Sequence, residues 1–394
     1  MMGSGIYRRA WTAACLGILL SGAAGVAQAE ATKDINVAVI MPMSGSIMGI
    51  FQPAENSIKL AVKEVNEKGI TVGGQHYQFK LHWFDGQCEP SPAINATRAA
   101  LAEVKPLNII WAPMCSSPAI AVAPILTKAQ AVTINSTSGT NRFVGPKGDP
   151  YLFKNKEDFE WRTRDLVKYL KARGYKNGAI IAVNSDWGTE AARTFKKYAE
   201  EDGIKLVATL NYDEHTEEFA PLLLQVRAAN PDFIFEASQL LDEQVAFLRT
   251  YSHLGLKIPL AGESTWTEDV PQKMGASGWQ AINGMLTATA WVPTSPRPAV
   301  QQYLAKYRKA FGSTPGFNGP PSYDIVYITA AAFEKAGSLD KEALRHVLRT
   351  ATFQNLVYGS GSVTFDQNGQ ADFPTAVTMF DAQKRERVLA PPPK

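Results

Sequence analysis

Cysteine, histidine and long apolar runs are scarce in this chain, and each shortage excludes something. Only three of its 394 residues are cysteine and five are histidine. No Cys-x-x-Cys occurs, which removes redox dithiols and zinc ribbons. His76, His82, His215, His253 and His346 are scattered, with no His-Glu-x-x-His among them. His76 and His82 share the parity of one short strand, yet such a pair reads as solvated or hydrogen-bonded bystanders. No metal and no cofactor is expected. Gly-x-x-x-x-Gly-Lys, Gly-x-Gly-x-x-Gly after a strand and Gly-x-Ser-x-Gly are also missing. The chain is therefore not expected to be an enzyme. A catalytic triad assembled in space leaves no local signature, however, so a secreted two-lobed α/β hydrolase or dehydrogenase stays as a second reading.

Charge of one sign is lacking too. Forty basic residues face 37 acidic ones, a formal +3. Such a balance gives no support for nucleic acid or an anionic membrane as partner. The one apolar run, residues 10–20, follows Arg8 and Arg9 and precedes Ala27-Gln28-Ala29. That order is a secretory leader, too short to span a bilayer comfortably, with cleavage after Ala29. Thr12-Ala13-Ala14-Cys15 lacks the leucine of a lipid-attachment box and comes too early for one. Twin arginines could mark a folded-export route, but little around them fits. Cleavage would remove two arginines and no acid, leaving +1 on 365 residues. That length suggests two domains. A soluble, periplasmic monomer with no membrane insertion is the expectation. Only the Pro391-Pro392-Pro393 tail looks loose.

Cys15 leaves with the leader, so Cys88 and Cys115 remain as a pair. Each follows a strand-like run, residues 77–84 and 107–112. A disulfide there would pin two neighbouring strand ends and imply an oxidising compartment. Closing a loop of this length is worth about 3–4 kcal/mol, less any strain. Two separate buried thiols are the plainer alternative.

Residues 35–41 form a continuous apolar strand of the kind covered on both faces. Pro53 opens a helix whose Ile58, Ala61, Val62 and Val65 fall at i, i+3, i+4 and i+7, with Gly69 as its stop. Tyr77, Phe79, Leu81 and Trp83 alternate along the next strand. Helix 93–104, strand 107–112, helix 119–129 and strand 131–135 follow. The pattern then restarts: helices at 161–173, 190–201, 219–229 and 242–253 alternate with strands at 179–183, 206–210, 232–237 and 258–262. A crossing strand at 285–291 precedes helices 299–311, 323–335 and 341–350. Strands 361–366 and 375–380 would then flank an Asn368-Gly369 turn.

Alternation of this kind is α/β, two Rossmann-like lobes with parallel sheets flanked by helices. The late helices would return to cover the first unit. That gives a three-crossing hinge near Lys154, Ala290 and residues 369–374. The expected division is 34–154 plus 291–370 against 155–290 plus 371–394, after a leader at 1–29. Ligands of open α/β sheets bind beyond the strand carboxyl ends, so two facing lobes make a cleft.

The binding signals lie at those ends. Ser116-Ser117-Pro118 opens a helix with a serine cap and a proline in the first turn. Its free N–H groups suit a carboxylate, unless the serine is plain capping. Asn135-Ser136-Thr137-Ser138-Gly139-Thr140 offers clustered hydroxyl donors or is a polar turn. In Asn184-Ser185-Asp186-Trp187-Gly188, Trp187 is either a lid aromatic or the staple of the next helix. Gln239 and Glu263 end two more strands, and Glu263 could pair with an ammonium or simply be solvated.

The ordered series resembles the type I periplasmic solute-binding proteins, in particular the leucine/isoleucine/valine-binding branch serving ABC importers. The likeness covers essentially the whole chain after the leader. It rests on Met43-Ser44-Gly45 after the first strand, Asp85-Gly86-Gln87-Cys88 with Met114-Cys115-Ser116-Ser117, Asp186-Trp187-Gly188, and Tyr323-Asp324. It implies a disulfide between Cys88 and Cys115. Ser116 or Ser117, with Thr137 or Ser138, would hold a ligand carboxylate. Trp187 replaces the usual Tyr over the ligand, Gln239 replaces a Tyr near the amino end, and Glu263 or Ser264 would receive the ammonium. Ile50 and Phe51 stand where a first-lobe aromatic often lies. The carboxylate end matches the family better than the amino end. The resemblance therefore points to a carboxylate without an α-amino group, aromatic in view of Trp187, Phe51 and Trp266, with a branched-chain amino acid as the family default. A membrane ABC permease would be the partner. A sensory receptor of the same fold is the alternative.

Overall fold

The computed structural model describes residues 32–392 except Ser46 and Pro146. The leader, its cleavage site and Cys15 lie outside the described residues, as does Pro393. Among the described residues no helix is long and apolar enough to cross a membrane.

The first sheet holds β1 (Lys33–Met41), β2 (Ile70–Val72), β3 (Gln75–Asp85), β4 (Ile109–Trp111), β5 (Thr133–Asn135) and β6 (Leu152–Lys154). Its order is β2-β3-β1-β4-β5-β6. All pairs are parallel except β2 with β3, joined through Gly73-Gly74, both at positive φ. From Val37 to Met41 every residue of β1 is buried, because helices cover both faces of a central parallel strand.

The second sheet starts with β7 (Asn177–Val183), β8 (Lys205–Tyr212), β9 (Phe233–Ala237), β10 (Leu260–Gly262) and β11 (Leu286–Thr289). A separate antiparallel pair follows, β12 (Phe353–Gln354) and β13 (Ser362–Val363). The chain then returns as β14 (Ala376–Asp381) and β15 (Glu386–Leu389), antiparallel additions to an order β15-β14-β11-β10-β9-β7-β8. Each sheet has its own apolar core.

The late helices do cover the first sheet. Tyr303, Ile325, Phe333 and Leu348 lie in its core, and the Trp111 indole N–H donates to Thr329 Oγ1 at 2.9 Å. The third of these helices from the end, Pro298–Phe311, packs there beside Met48–Lys68. The next, Gly319–Ala336, begins four residues earlier than the pattern suggests, because Pro320 and Pro321 fit a first turn, where no N–H is needed.

One expected pairing is corrected. The turn at Asn368-Gly369 exists, with Gly369 at φ 84° and its N–H on Asp366 O at 3.0 Å. Its immediate flanks pair briefly, Phe365 against Ala371, with Asp366 N–H on Gln370 O (2.8 Å) and Asp372 N–H on Thr364 O (3.2 Å). The expected strands 361–366 and 375–380 do not continue that pairing: Ser362–Val363 pairs with Phe353–Gln354, and Ala376–Asp381 joins the second sheet. The chain crosses between lobes immediately after the turn, so the second flank is carried away. At that crossing Lys154 N–H donates to Gly369 O (2.8 Å) and Ala371 N–H to Lys154 O (2.9 Å), holding two of the three crossings side by side.

Candidate functional site

In the first sheet β1 lies between β3 and β4, and in the second β7 lies between β8 and β9. Strand order reverses at these places, opening a crevice beyond the carboxyl ends. A cavity of about 470 Å³ sits between the two crevices. Its first-lobe wall comes from the loops after β1, β3 and β4, including Gly45, Cys88 and Ser116; its second-lobe wall from those after β7, β8 and β9, including Trp187, His215 and Gln239.

Cys88 and Cys115 form a disulfide, their Cα atoms 5.5 Å apart. The tie fixes the start of the helix Ser116–Ala129 against the loop after β3. That helix departs from the serine-cap expectation: Cys115 is the capping residue, with no side-chain cap bond, and Ser116 is already helical. Ala119 N–H makes the first helical bond, to Cys115 O at 3.1 Å, and Pro118 has no N–H. The N–H groups of Ser116 and Ser117 precede it, at the positive end of the helix dipole. The Ser116 hydroxyl is buried, 2% exposed, and no protein atom hydrogen-bonds it. Plain capping does not describe it.

The hydroxyl loop after β5 is partly spent on itself. Asn135 Oδ1 accepts the N–H groups of Thr137 and Ser138 at 3.0 and 2.9 Å, and Thr137 Oγ1 donates to Met114 O at 2.9 Å. Those bonds lock the β5 loop onto the segment that carries Ser116. Ser138 Oγ, also 2% exposed, has no partner. Ser117 is half-buried on the cavity wall.

Trp187 lies in the first turn of the helix Asp186–Glu201, which Ser185 caps by accepting Gly188 N–H at 3.2 Å. Glycine is required there, because a Cβ on residue 188 would sit 2.1 Å from Val183 O. The indole lines the cavity and packs edge-on against Phe159, ring centroids 5.6 Å apart. Gln239 is half-buried and faces the same space.

The remaining expected residues lie elsewhere. Glu263 is buried and accepts from Arg162 Nε at 2.6 Å, while Arg162 also stands 3.8 Å from Glu157. Burial pushes the Glu263 carboxyl above its ordinary range, against the pull of Arg162. Ser264 is buried beside it. Phe51 belongs to the first core and Trp266 to the second, where its indole N–H donates to Glu236 Oε2 at 2.6 Å. Ile50, one residue before Phe51, lines a second cavity of about 340 Å³.

Glu243 and Leu240 were not singled out by the sequence, yet both line both cavities. Glu243 is buried, accepts His215 N–H at 2.7 Å and has no lysine or arginine in ion-pair range among the described residues. Burial raises its pKa, opposed by that N–H. An acid in the first turn of a helix reads as dipole compensation, and no periodicity distinguishes it.

The sequence profile of the periplasmic binding proteins matches residues 34–385. A Leu/Ile/Val-binding protein homolog 7 from Brucella suis biovar 1 (strain 1330) is 23% identical over 370 residues, 89% of each chain. A solute binding protein of an ABC transporter from Rhodopseudomonas palustris BisB5, in complex with 3,4-dihydroxybenzoic acid, superposes with a TM-score of 0.78 at 22% identity, covering 88% of this chain and 93% of that one. A leucine-binding protein from Thermotoga maritima MSB8 also gives 0.78, at 20% identity, with 91% and 98% covered.

Proposed function

This chain belongs to the periplasmic binding protein family, and from that premise we propose that it is an extracytoplasmic receptor handing a small carboxylate-bearing solute to an ABC permease. The observation that carries the ligand chemistry is the Ser116 hydroxyl: buried, unpartnered, at a helix start on the cavity between the two strand-order reversals. A carboxylate there would meet the hydroxyl and the leading N–H groups together. Ser117 and Ser138 would complete the anion's shell. Thr137 would hold the loop in place, and Trp187 and Gln239 would close over the body of the solute.

Both structural relatives named above have carboxylates in their descriptions, 3,4-dihydroxybenzoate and leucine. Glu263 already holds Arg162, which supports a solute without an α-amino group. On this reading the lobes are 34–154 with 291–370 and 155–290 with 371–394, the leader is cleaved after Ala29, and the receptor acts as a monomer. Hinge closure around the ligand is an established repertoire of periplasmic binding proteins; ligand favours closure by its greater affinity for the closed form.

The test is a thermal-shift screen of the mature protein against amino acids, aromatic acids and short dicarboxylates, with calorimetry on the hits. A solute at a thousand times its Kd stabilises by about 4 kcal/mol, a readable shift. Silence from every carboxylate would sink the proposal.

A further inference from the structure

The 340 Å³ cavity is a neighbour of the one that holds Ser116, not a separate feature. His215, Gln239, Leu240 and Glu243 line both. Leu240 makes the division: it comes from the second lobe, is half-buried, and packs against the core of the first. Beyond it the walls change character. Ile50, Pro53, Leu241 and Phe317 give that space apolar surfaces from both lobes.

Its charged rim is mostly acidic, as is that of the first cavity, where Glu89, Asp186, Glu214 and Glu243 stand. What the first cavity has in addition is the unpartnered Ser116 hydroxyl. In the distal space Asp242 is paired with Lys273 at 2.5 Å, but Glu217, Glu243 and Asp269 have no basic side chain in ion-pair range among the described residues. Burial also raises the pKa of Asp269, as it does for Glu243. A second carboxylate would meet these acids with no free hydroxyl to offset them, since Thr216, Thr265 and Thr267 all donate to protein acceptors, whereas an apolar chain or ring ending in a neutral or cationic group would not be repelled.

We propose that this cavity is a distal subsite for the apolar body of an elongated monocarboxylate whose anionic end sits at Ser116, and that Leu240 is the partition that sets how that body passes. The proposal rests on the receptor reading above and deepens it. Two things follow: affinity grows with the length of the apolar body until the distal space is filled, and a matched dicarboxylate is rejected.

Calorimetric titration of the mature protein with butanoate, hexanoate, octanoate and suberate, alongside leucine and benzoate, tests this. Affinity should rise about fourfold per methylene beyond the partition, and suberate should bind at least about tenfold more weakly than octanoate. Ile50→Trp, which fills the distal space from the first lobe, should erase the dependence on length. Leu240→Ala should widen the passage and raise the affinity of 4-phenylbutanoate relative to hexanoate; it provides the check should the bulkier variant fail to fold. Affinity independent of length, suberate equal to octanoate, or Ile50→Trp weakening butanoate and octanoate by one factor would overturn the subsite while leaving the receptor reading intact. Failure of every carboxylate to bind, leucine and benzoate included, would overturn both.

Discussion

Ser116→Ala separates binding from folding, because the hydroxyl has no protein partner to lose. In the folded chain Ser116 Oγ is 2% exposed and unbonded. Burying a hydroxyl without a hydrogen bond costs on the order of 1–3 kcal/mol on mutational scales. Its removal should therefore leave the unliganded protein as stable as before, or up to about 1 kcal/mol more so. Binding should move the other way. A hydrogen bond to a charged acceptor contributes about 1.5–3 kcal/mol, so the best carboxylate ligand should lose roughly 10- to 150-fold in affinity. Urea unfolding without ligand and calorimetry with it read the two effects independently. Ser117→Ala, at a half-exposed position, should show a smaller loss. A stability loss above about 1 kcal/mol with unchanged affinity would mean that Ser116 is structural, and the carboxylate assignment would fall with it.

Cys88→Ser with Cys115→Ser opens a tie across a sequence separation of 27. The chain-entropy relation gives a loss of about 3.5 kcal/mol, and a denaturant midpoint insensitive to both the variant and reductant would contradict it. Glu263→Gln leaves the buried Arg162 charge with only the longer contact to Glu157 and should cost up to about 3–5 kcal/mol; replacing both members by methionine should cost less, which a double-mutant cycle on unfolding reads directly. Burial pushes the Glu236 carboxyl up to about 8. Between about pH 4.5 and 8 the native state then holds a proton that the unfolded state has released, so stability falls as pH rises through that window. Glu236→Gln should flatten that part of the urea-midpoint profile, and an unchanged slope would assign the dependence to other groups.

Strand and helix identities were legible wherever a local period carried them. The apolar run of β1 and the i, i+3, i+4 spacing of Ile58, Ala61 and Val65 needed no long-range information. Partners across sequence were less so. Asn368-Gly369 specifies a turn and the short pairing of Phe365 with Ala371, but how far that pairing runs depends on Phe353 and Lys154, distant in sequence. At the site Ser116 was visible as a serine at a strand end ahead of Pro118, but capping and anion binding share that pattern, and only the fold shows its hydroxyl without a protein partner. Glu263 was visible as an acid at a strand end, but its partner Arg162 lies 101 residues earlier, and no local pattern joins them. Leu240 and Glu243 read as ordinary helix-start residues; only the approach of the first lobe gives them a cavity on either side.

The distribution of hinge contacts locates where closure bends the chain. Asn155 Nδ2 donates to Pro321 O (3.0 Å), Lys156 Nζ to Phe317 O (2.9 Å), and the Tyr358 hydroxyl to Glu157. All three partners belong to the segments that cover the first sheet, so residues 155–157 are bonded to it although the proposed division counts them with the second lobe. Asp158 instead caps the second-lobe helix Phe159–Ala172 by accepting Trp161 N–H at 3.0 Å. The bonding thus changes sides between Glu157 and Asp158, which is where a first pivot would be expected. In the third crossing Ala371 is bound to Lys154, whereas Thr375 Oγ1 donates to Asp165 of the second lobe, so the bonding changes sides between them. In the second crossing Trp291 packs on Tyr303 in the first core while Ala288 lies in the second. Among the described residues, contacts between the lobes include Thr140 Oγ1 to Glu190 at 2.9 Å, Glu157 with Arg162 at 3.8 Å and Leu240 against the first core. A ligand that touches both walls would add to these contacts, and by binding the closed form more tightly it would shift the balance toward closure.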